Sequence, residues 1–140
     1  MRRLNILLTA MASDSHTWNL MYLELLLQEW GHTATNLGPC VPHEPLIRRC
    51  RELAPDLVVI SSVNGHGFSE GREVGQLIRA CAELADTPMV IGGKLSTGVE
   101  DQAAKTASLR AAGFDLVVND SDGLAPFQDF VESMCLRAMR

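Results

Sequence analysis

Leu4-Asn5-Ile6-Leu7-Leu8-Thr9-Ala10-Met11-Ala12-Ser13-Asp14-Ser15-His16-Thr17-Trp18-Asn19 is the stretch from which the fold can be read. An apolar run of strand character gives way to a short polar loop, and an amphipathic, helix-like stretch follows from Asn19 to Trp30. The same succession recurs along the chain. Strand-like runs occur at Leu4–Ala10, Thr33–Leu37, Leu57–Ser61, Met89–Ile91 and Leu116–Val118. Helix-like stretches occupy Asn19–Trp30, Glu44–Leu53, Glu70–Leu84, Asp101–Ala112 and Pro126–Met139. Gly31 and Gly113 fall where a helix-ending residue in the left-handed conformation is expected. Pro55-Asp56 and Thr87-Pro88 punctuate the entries to the third and fourth strands. Such alternation implies a parallel sheet covered on both faces, a doubly wound five-stranded α/β fold. Five strands suit the flavodoxin-like order 2-1-3-4-5; a Rossmann-like order stays open.

The chain's 140 residues, 46% hydrophobic, suit one globular domain spanning 1–140. A net charge of -5 gives no electrostatic footprint for nucleic acid or for an acidic membrane surface. No apolar stretch approaches a bilayer span, and the first apolar run lacks a signal-peptide cleavage pattern. Cys40, Cys50, Cys81 and Cys135 are scattered without C-x-x-C spacing, which favours reduced, mostly buried thiols in a cytoplasmic protein.

Ligands of this fold class bind outside the carboxyl ends of the strands, where strand order reverses. Ser13, Asp14 and His16 follow the first strand, and Ser61-Ser62-Val63-Asn64-Gly65-His66-Gly67 follow the third. Gly92-Gly93-Lys94-Leu95-Ser96-Thr97-Gly98 follow the fourth, and Asn119-Asp120-Ser121-Asp122-Gly123 the fifth. Polar residues and glycines thus concentrate on one edge. A phosphate-accepting receiver domain needs an aspartate ending the third strand, where Ser61 stands. A flavodoxin needs a hydroxyl-rich cradle after the first strand, and Thr9-Ala10-Met11-Ala12-Ser13 offers too few hydroxyls. A dinucleotide site needs G-x-G-x-x-G opening the first helix, and none is present there.

Asp14-Ser15-His16-Thr17-Trp18-Asn19, Ser61-Ser62-Val63 and Gly92-Gly93, in that order and each after a strand, resemble the cobalamin-binding domain family. That family's pattern is D-x-H-x-x-G, then S-x-L, then G-G. Along nearly its whole length the chain is similar to the small, cobalamin-carrying sigma subunits of glutamate (methylaspartate) mutases. The resemblance implies that His16 displaces the cofactor's dimethylbenzimidazole and binds cobalt as lower axial ligand, chemistry within reach of a neutral imidazole. Asp14 would accept a hydrogen bond from the other ring nitrogen, with Ser13, Ser15 and Thr17 beside them on the cofactor-binding loop. Ser61, Ser62 and Val63 would meet the displaced nucleotide tail, and Gly92 and Gly93 would let it approach the backbone. Lys94, Leu95, Ser96 and Thr97 would line it.

The resemblance further implies adenosylcobalamin as cofactor and a larger barrel-type catalytic (epsilon) subunit as partner in a hetero-oligomer. The partner would hold the small-molecule substrate, and L-glutamate and threo-3-methylaspartate would interconvert by a radical mechanism. This chain would be the cofactor-binding subunit of an isomerase, not active alone. Taken singly, each motif has a plainer reading. Asp14 can cap a helix, Ser61 can close a strand, and paired glycines often form a tight turn. His66 reads as a loop residue, and capping accounts for His32 and His43 at a helix end and a helix start. Asn19 departs from the motif's glycine, although asparagine tolerates left-handed angles better than most residues. Val63 replaces its leucine with another branched apolar side chain. Two alternatives stand beside the mutase reading: a corrinoid carrier for methyl transfer, and a non-enzymatic flavodoxin-like interaction or sensor domain that has lost cobalamin.

Overall fold

A computed structural model describes residues 3–10, 20–38, 42–62, 67–93, 102–119 and 122–138. Strands β1 (Asn5–Ala10), β2 (Thr33–Asn36), β3 (Leu57–Ser62), β4 (Met89–Gly93) and β5 (Leu116–Asn119) form one parallel sheet in the order β2-β1-β3-β4-β5. The flavodoxin-like order is adopted, and the Rossmann-like one drops out. Helices α1 (Leu20–Glu29), α2 (His43–Leu53), α3 (Gly67–Ala80), α4 (Gln102–Ala111) and α5 (Ala125–Ala138) alternate with the strands.

Strands β1, β3, β4 and β5 carry aliphatic residues at successive positions because both faces are covered there, whereas the edge strand β2, Thr33-Ala34-Thr35-Asn36, is only partly buried. Leu7, Val58, Ile60 and Ile91 point to the layer of α2, α3 and α4, where they meet Leu46, Val74 and Leu109. Ile6, Leu8, Val59 and Val90 point to α1 and α5 and meet Leu23, Leu27, Phe127 and Val131. Each fully buried branched side chain contributes roughly 2 kcal/mol. Trp30 and Phe127, with ring centroids 5.9 Å apart, join the end of α1 to α5.

Gly31 and Gly113 close α1 and α4 with φ of 95° and 122°, as their positions predict. The third helical stretch differs from expectation. It begins at Gly67, stops at Ala80, and resumes as a short 3-10 turn over Ala82–Leu84, with Cys81 extended between the two at φ -80° and ψ 123°. Arg79 supplies the reason. Its guanidinium donates to the carbonyls of Leu84 (3.0 Å), Ala85 (3.1 Å) and Gly113 (2.8 Å) and to Asp115 Oδ2 (3.1 Å). One side chain therefore draws the curled chain before β4 and the turn before β5 together.

The amino edge of the sheet is tied by a repeated device. The residue immediately before a strand offers its side chain to a backbone N–H at or just before the start of the neighbouring strand. Asp56 Oδ2 accepts from Asn5 N–H at 2.7 Å, and Asp115 Oδ2 accepts from Met89 N–H at 2.9 Å. At the β1–β2 junction the acceptor is an imidazole: His32 Nδ1 receives Leu4 N–H at 3.1 Å. His32 is buried, and its Nε2 lies 3.7 Å from Cys135 Sγ on α5. Capping thus does not account for His32, which bridges β1, the end of α1 and α5. Nor does His43 cap α2: no side-chain bond is made at that terminus, and its Nδ1 instead lies 3.7 Å from Glu73 on α3.

Burial, reinforced by the nearby Arg3 charge, lowers the His32 pKa from its ordinary value. The folded chain therefore keeps this ring neutral at a pH where the unfolded chain protonates it. The resulting stability is complete above the unfolded pKa of about 6.5 and is lost progressively as pH falls through and below it. Urea titrations are expected to show a wild-type midpoint falling between about pH 7 and pH 5.5 more steeply than that of His32→Gln, which is less stable at pH 8 but lacks the titrating ring. Parallel slopes for the two proteins would refute the neutral latch. Arg79→Ala is expected to lower unfolding free energy by on the order of 2 kcal/mol, because several carbonyls lose a charged donor together.

Candidate functional site at the carboxyl edge

The opposite edge is built differently. Parallel register sets Leu8, Val59, Val90 and Leu116 side by side, then two residues on sets Ala10, Ser61, Gly92 and Val118 side by side. Strand alternation directs both rows toward α1 and α5. Bulk drops abruptly between them, from four branched side chains to a methyl, a hydroxymethyl, a bare glycine and one valine. Ala10 and Ser61 are each 1% exposed and Gly92 is buried, so the lean row is roofed over.

One residue further, Ser62, Gly93 and Asn119 are in register. Gly93 adopts φ of 113°, which a side chain would strain, so β4 can leave the sheet here only because the residue is glycine. Asn119 N–H donates to Asp122 Oδ2 at 2.8 Å, holding the exit of β5. At the other side, Asn36 Nδ2 donates to Glu24 on α1 at 3.1 Å and Asn36 Oδ1 accepts from Gly38 N–H at 2.8 Å. The edge is thereby framed at both ends by polar side chains bonded to backbone or to a helix.

Of the predicted site residues, Ser61, Ser62, Gly92 and Gly93 are brought together as adjacent pairs on neighbouring strands. Ser13, Asp14, Ser15, His16, Thr17, Val63, Lys94, Leu95, Ser96 and Thr97 lie outside the described residues, as do Asn19 and His66. Two residues were missed. Ala10 completes the lean row, and a small residue inside a strand carries no motif to flag it. Thr9 is fully buried with no hydrogen-bond partner for Oγ1 among the described residues, and a lone hydroxyl within an aliphatic run was the available signal.

Other features lie apart from this edge. An open groove of about 760 Å³ runs over α2 and α3 between His43, Ile47, Arg51, Leu77 and Glu83, and contains none of the predicted site residues. Cys50, Cys81 and Cys135 are not joined by a disulfide, and burial with the neighbouring Cys81 pushes the Cys50 pKa up to about 11, which disfavours its thiolate. Among the described residues, no three His, Cys, Asp or Glu side chains gather for a metal. None of the described helices is long and apolar enough to cross a membrane.

Comparison with known proteins agrees with this geometry. The chain is 30% identical to the glutamate mutase sigma subunit of Carboxydothermus hydrogenoformans over 117 residues, covering 84% of this chain and 85% of that one. It is 26% identical to the glutamate mutase sigma subunit of Halobacterium salinarum, covering 91% and 85% respectively. A shorter likeness, 33% over 88 residues, links 62% of this chain to 30% of the HTH-type transcriptional repressor CarA of Myxococcus xanthus. A cobalamin-binding protein from Desulfitobacterium hafniense superposes with a TM-score of 0.65 at 22% identity, over 83% of this chain and 53% of that one. A response regulator from Burkholderia multivorans gives 0.63 at 21% identity, over 94% and 95%. These two share the fold alone, and β3 here ends in Ser61-Ser62 without a receiver's aspartate. The family described as B12 binding domain matches residues 4–121, and the chain belongs to that family.

Proposed function

We propose that this chain is the cobalamin-carrying subunit of an adenosylcobalamin-dependent carbon-skeleton mutase of the glutamate mutase type. The observation that carries the reading is the row Ala10–Ser61–Gly92, where side-chain bulk vanishes beneath α1 and α5 at the edge from which the His16 segment departs. A flat heteroaromatic tail inserted between sheet and helices needs such a lean floor. Gly92 presents no Cβ on that face, and Ser61 offers a hydroxyl. The residues present therefore fit the group. Similarity to two glutamate mutase sigma subunits, over most of both chains, supports the subunit role.

His16 would hold the cobalt, and Asp14 would accept a hydrogen bond from its second ring nitrogen, which would orient the imidazole and raise its basicity. Ser13, Ser15 and Thr17 would belong to the same binding loop, Ser61 with Ser62 and Val63 would meet the tail, and Gly92 and Gly93 would admit it. Lys94, Leu95, Ser96 and Thr97 line its phosphate and ribose. Adenosylcobalamin, when bound, supplies a radical source for moving a carbon fragment within the substrate. A larger barrel-type subunit is the assigned partner; it would bind L-glutamate or threo-3-methylaspartate and cover the cofactor's upper face. This chain orients the lower ligand and keeps water from the tail. A second reading, a non-enzymatic interaction or sensor domain that has lost cobalamin binding, draws on the likeness to a repressor and on Asn19 at the motif's glycine position.

Mixing the purified chain with adenosylcobalamin, desalting and recording the visible spectrum separates the two. Retained cofactor is expected, with electron paramagnetic resonance of the reduced form showing coupling to a protein imidazole that His16→Ala abolishes. The same coupling in His16→Ala would remove His16 from the cobalt. Gly92→Leu is expected to fold, by circular dichroism, yet to bind cobalamin at least about tenfold more weakly. Undiminished affinity in that variant would mean the tail does not cross the lean row.

A further inference from the structure

Thr9 lies on β1 beside Ile60, one residue short of the strand's carboxyl end. Its row continues through Ile91 and Val117, so every other member is aliphatic. This row faces α2, α3 and α4, the side opposite the lean row. The first turns of α3 press directly on it: a Cβ built on Gly71 would run into the end of the Ile91 side chain. Thr9 is 0% exposed, and its Oγ1 is the buried side-chain polar atom left without a hydrogen-bond partner among the described residues.

Such a hydroxyl costs stability, since it gives up water and receives no bond from the described residues in return. Valine has the same shape and would match Ile60, Ile91 and Val117 without that cost. Packing therefore does not explain Thr9. A ligand seated at the carboxyl edge would supply the partner that the described residues lack. We infer that Thr9 is a positioning residue for the cofactor, its hydroxyl taking a hydrogen bond from the carboxamide rim of the corrin once cobalamin seats on the carboxyl edge. The nucleotide tail is not the source, because it belongs to the α1–α5 side of the sheet and Thr9 faces away from it. The inference rests on the proposed function and adds to it a contact on the second face of the sheet. It also makes the free chain the strained state, so that loading relieves a fault in the core.

Thr9→Val and Thr9→Ser decide the matter with two readouts each, thermal stability of the cofactor-free chain and calorimetric affinity for adenosylcobalamin. Thr9→Val is expected to be at least as stable as wild type when free, yet to bind about tenfold more weakly, a difference of about 1.4 kcal/mol. Thr9→Ser, which keeps the hydroxyl and loses a methyl, is expected to be less stable when free but to hold its affinity within about twofold. A purely structural hydroxyl would make Thr9→Val less stable and leave affinity unchanged, overturning the inference. Equal affinities for wild type and Thr9→Val would overturn it while leaving the proposed function standing. A wild-type chain that takes up no cobalamin would overturn both.

Discussion

A backbone N–H at the start of a parallel strand has no ladder partner unless a group beyond the strand supplies one. Here side chains supply it at three junctions, from His32 to Leu4, Asp56 to Asn5, and Asp115 to Met89. Each acceptor sits immediately before the strand it serves from, so one residue sets both the entry of its own strand and the register of its neighbour. In a parallel sheet a slip of one residue would send every side chain to the wrong face. The amino-edge contacts prevent that slip at β1–β2, β1–β3 and β4–β5. Arg79 then binds the Asp115 junction to the turns around it.

With register secured at one edge, the other edge is free of structural duty. That freedom shows in the choice of residues. Strands β3 and β4 end in Ser61-Ser62 and Gly92-Gly93, pairs that contribute little packing and, at Gly93, a backbone angle that only glycine takes without strain. Polar bonds at this edge frame it without filling it: Asn36 holds the exit of β2 against α1, and Asp122 holds the exit of β5. Between these supports run β1, β3 and β4, the strands that carry the family motif.

How much of this is legible in the sequence depends on the range of the interaction. Strands built from continuous aliphatic runs are visible, because burial on both faces leaves no room for polar alternation. Gly31 and Gly113 are visible as helix ends for a local reason, the left-handed angle itself. The break at Cys81 is not, since it depends on Arg79 reaching Gly113 and Asp115, more than thirty positions away. His32 reads locally as a cap, but its partners Leu4 and Cys135 are 28 and 103 positions distant. At the site, Ser61 and Gly92-Gly93 are legible as a motif, whereas Ala10 acquires meaning only from the register that lays it beside Ser61. The remaining predicted site residues fall outside the described segments and rest on the family pattern.

The lean row also bears on the energetics of loading. Moving from Leu8–Val59–Val90–Leu116 to Ala10–Ser61–Gly92–Val118, the sheet gives up more than half of that row's side-chain heavy atoms on the α1–α5 face. At roughly 0.8 kcal/mol for each buried methylene, the chain forgoes several kcal/mol of its own burial there. A protein selected for stability alone would fill that row. A ligand that slides an apolar, planar group over it recovers the forgone burial as binding energy, with the floor already in register. Thr9 extends the same logic to the polar side of the account, on the other face of β1 and one position earlier. Both features put little side-chain bulk or an unmatched hydroxyl at the carboxyl edge, and both would be matched by one cofactor settling there.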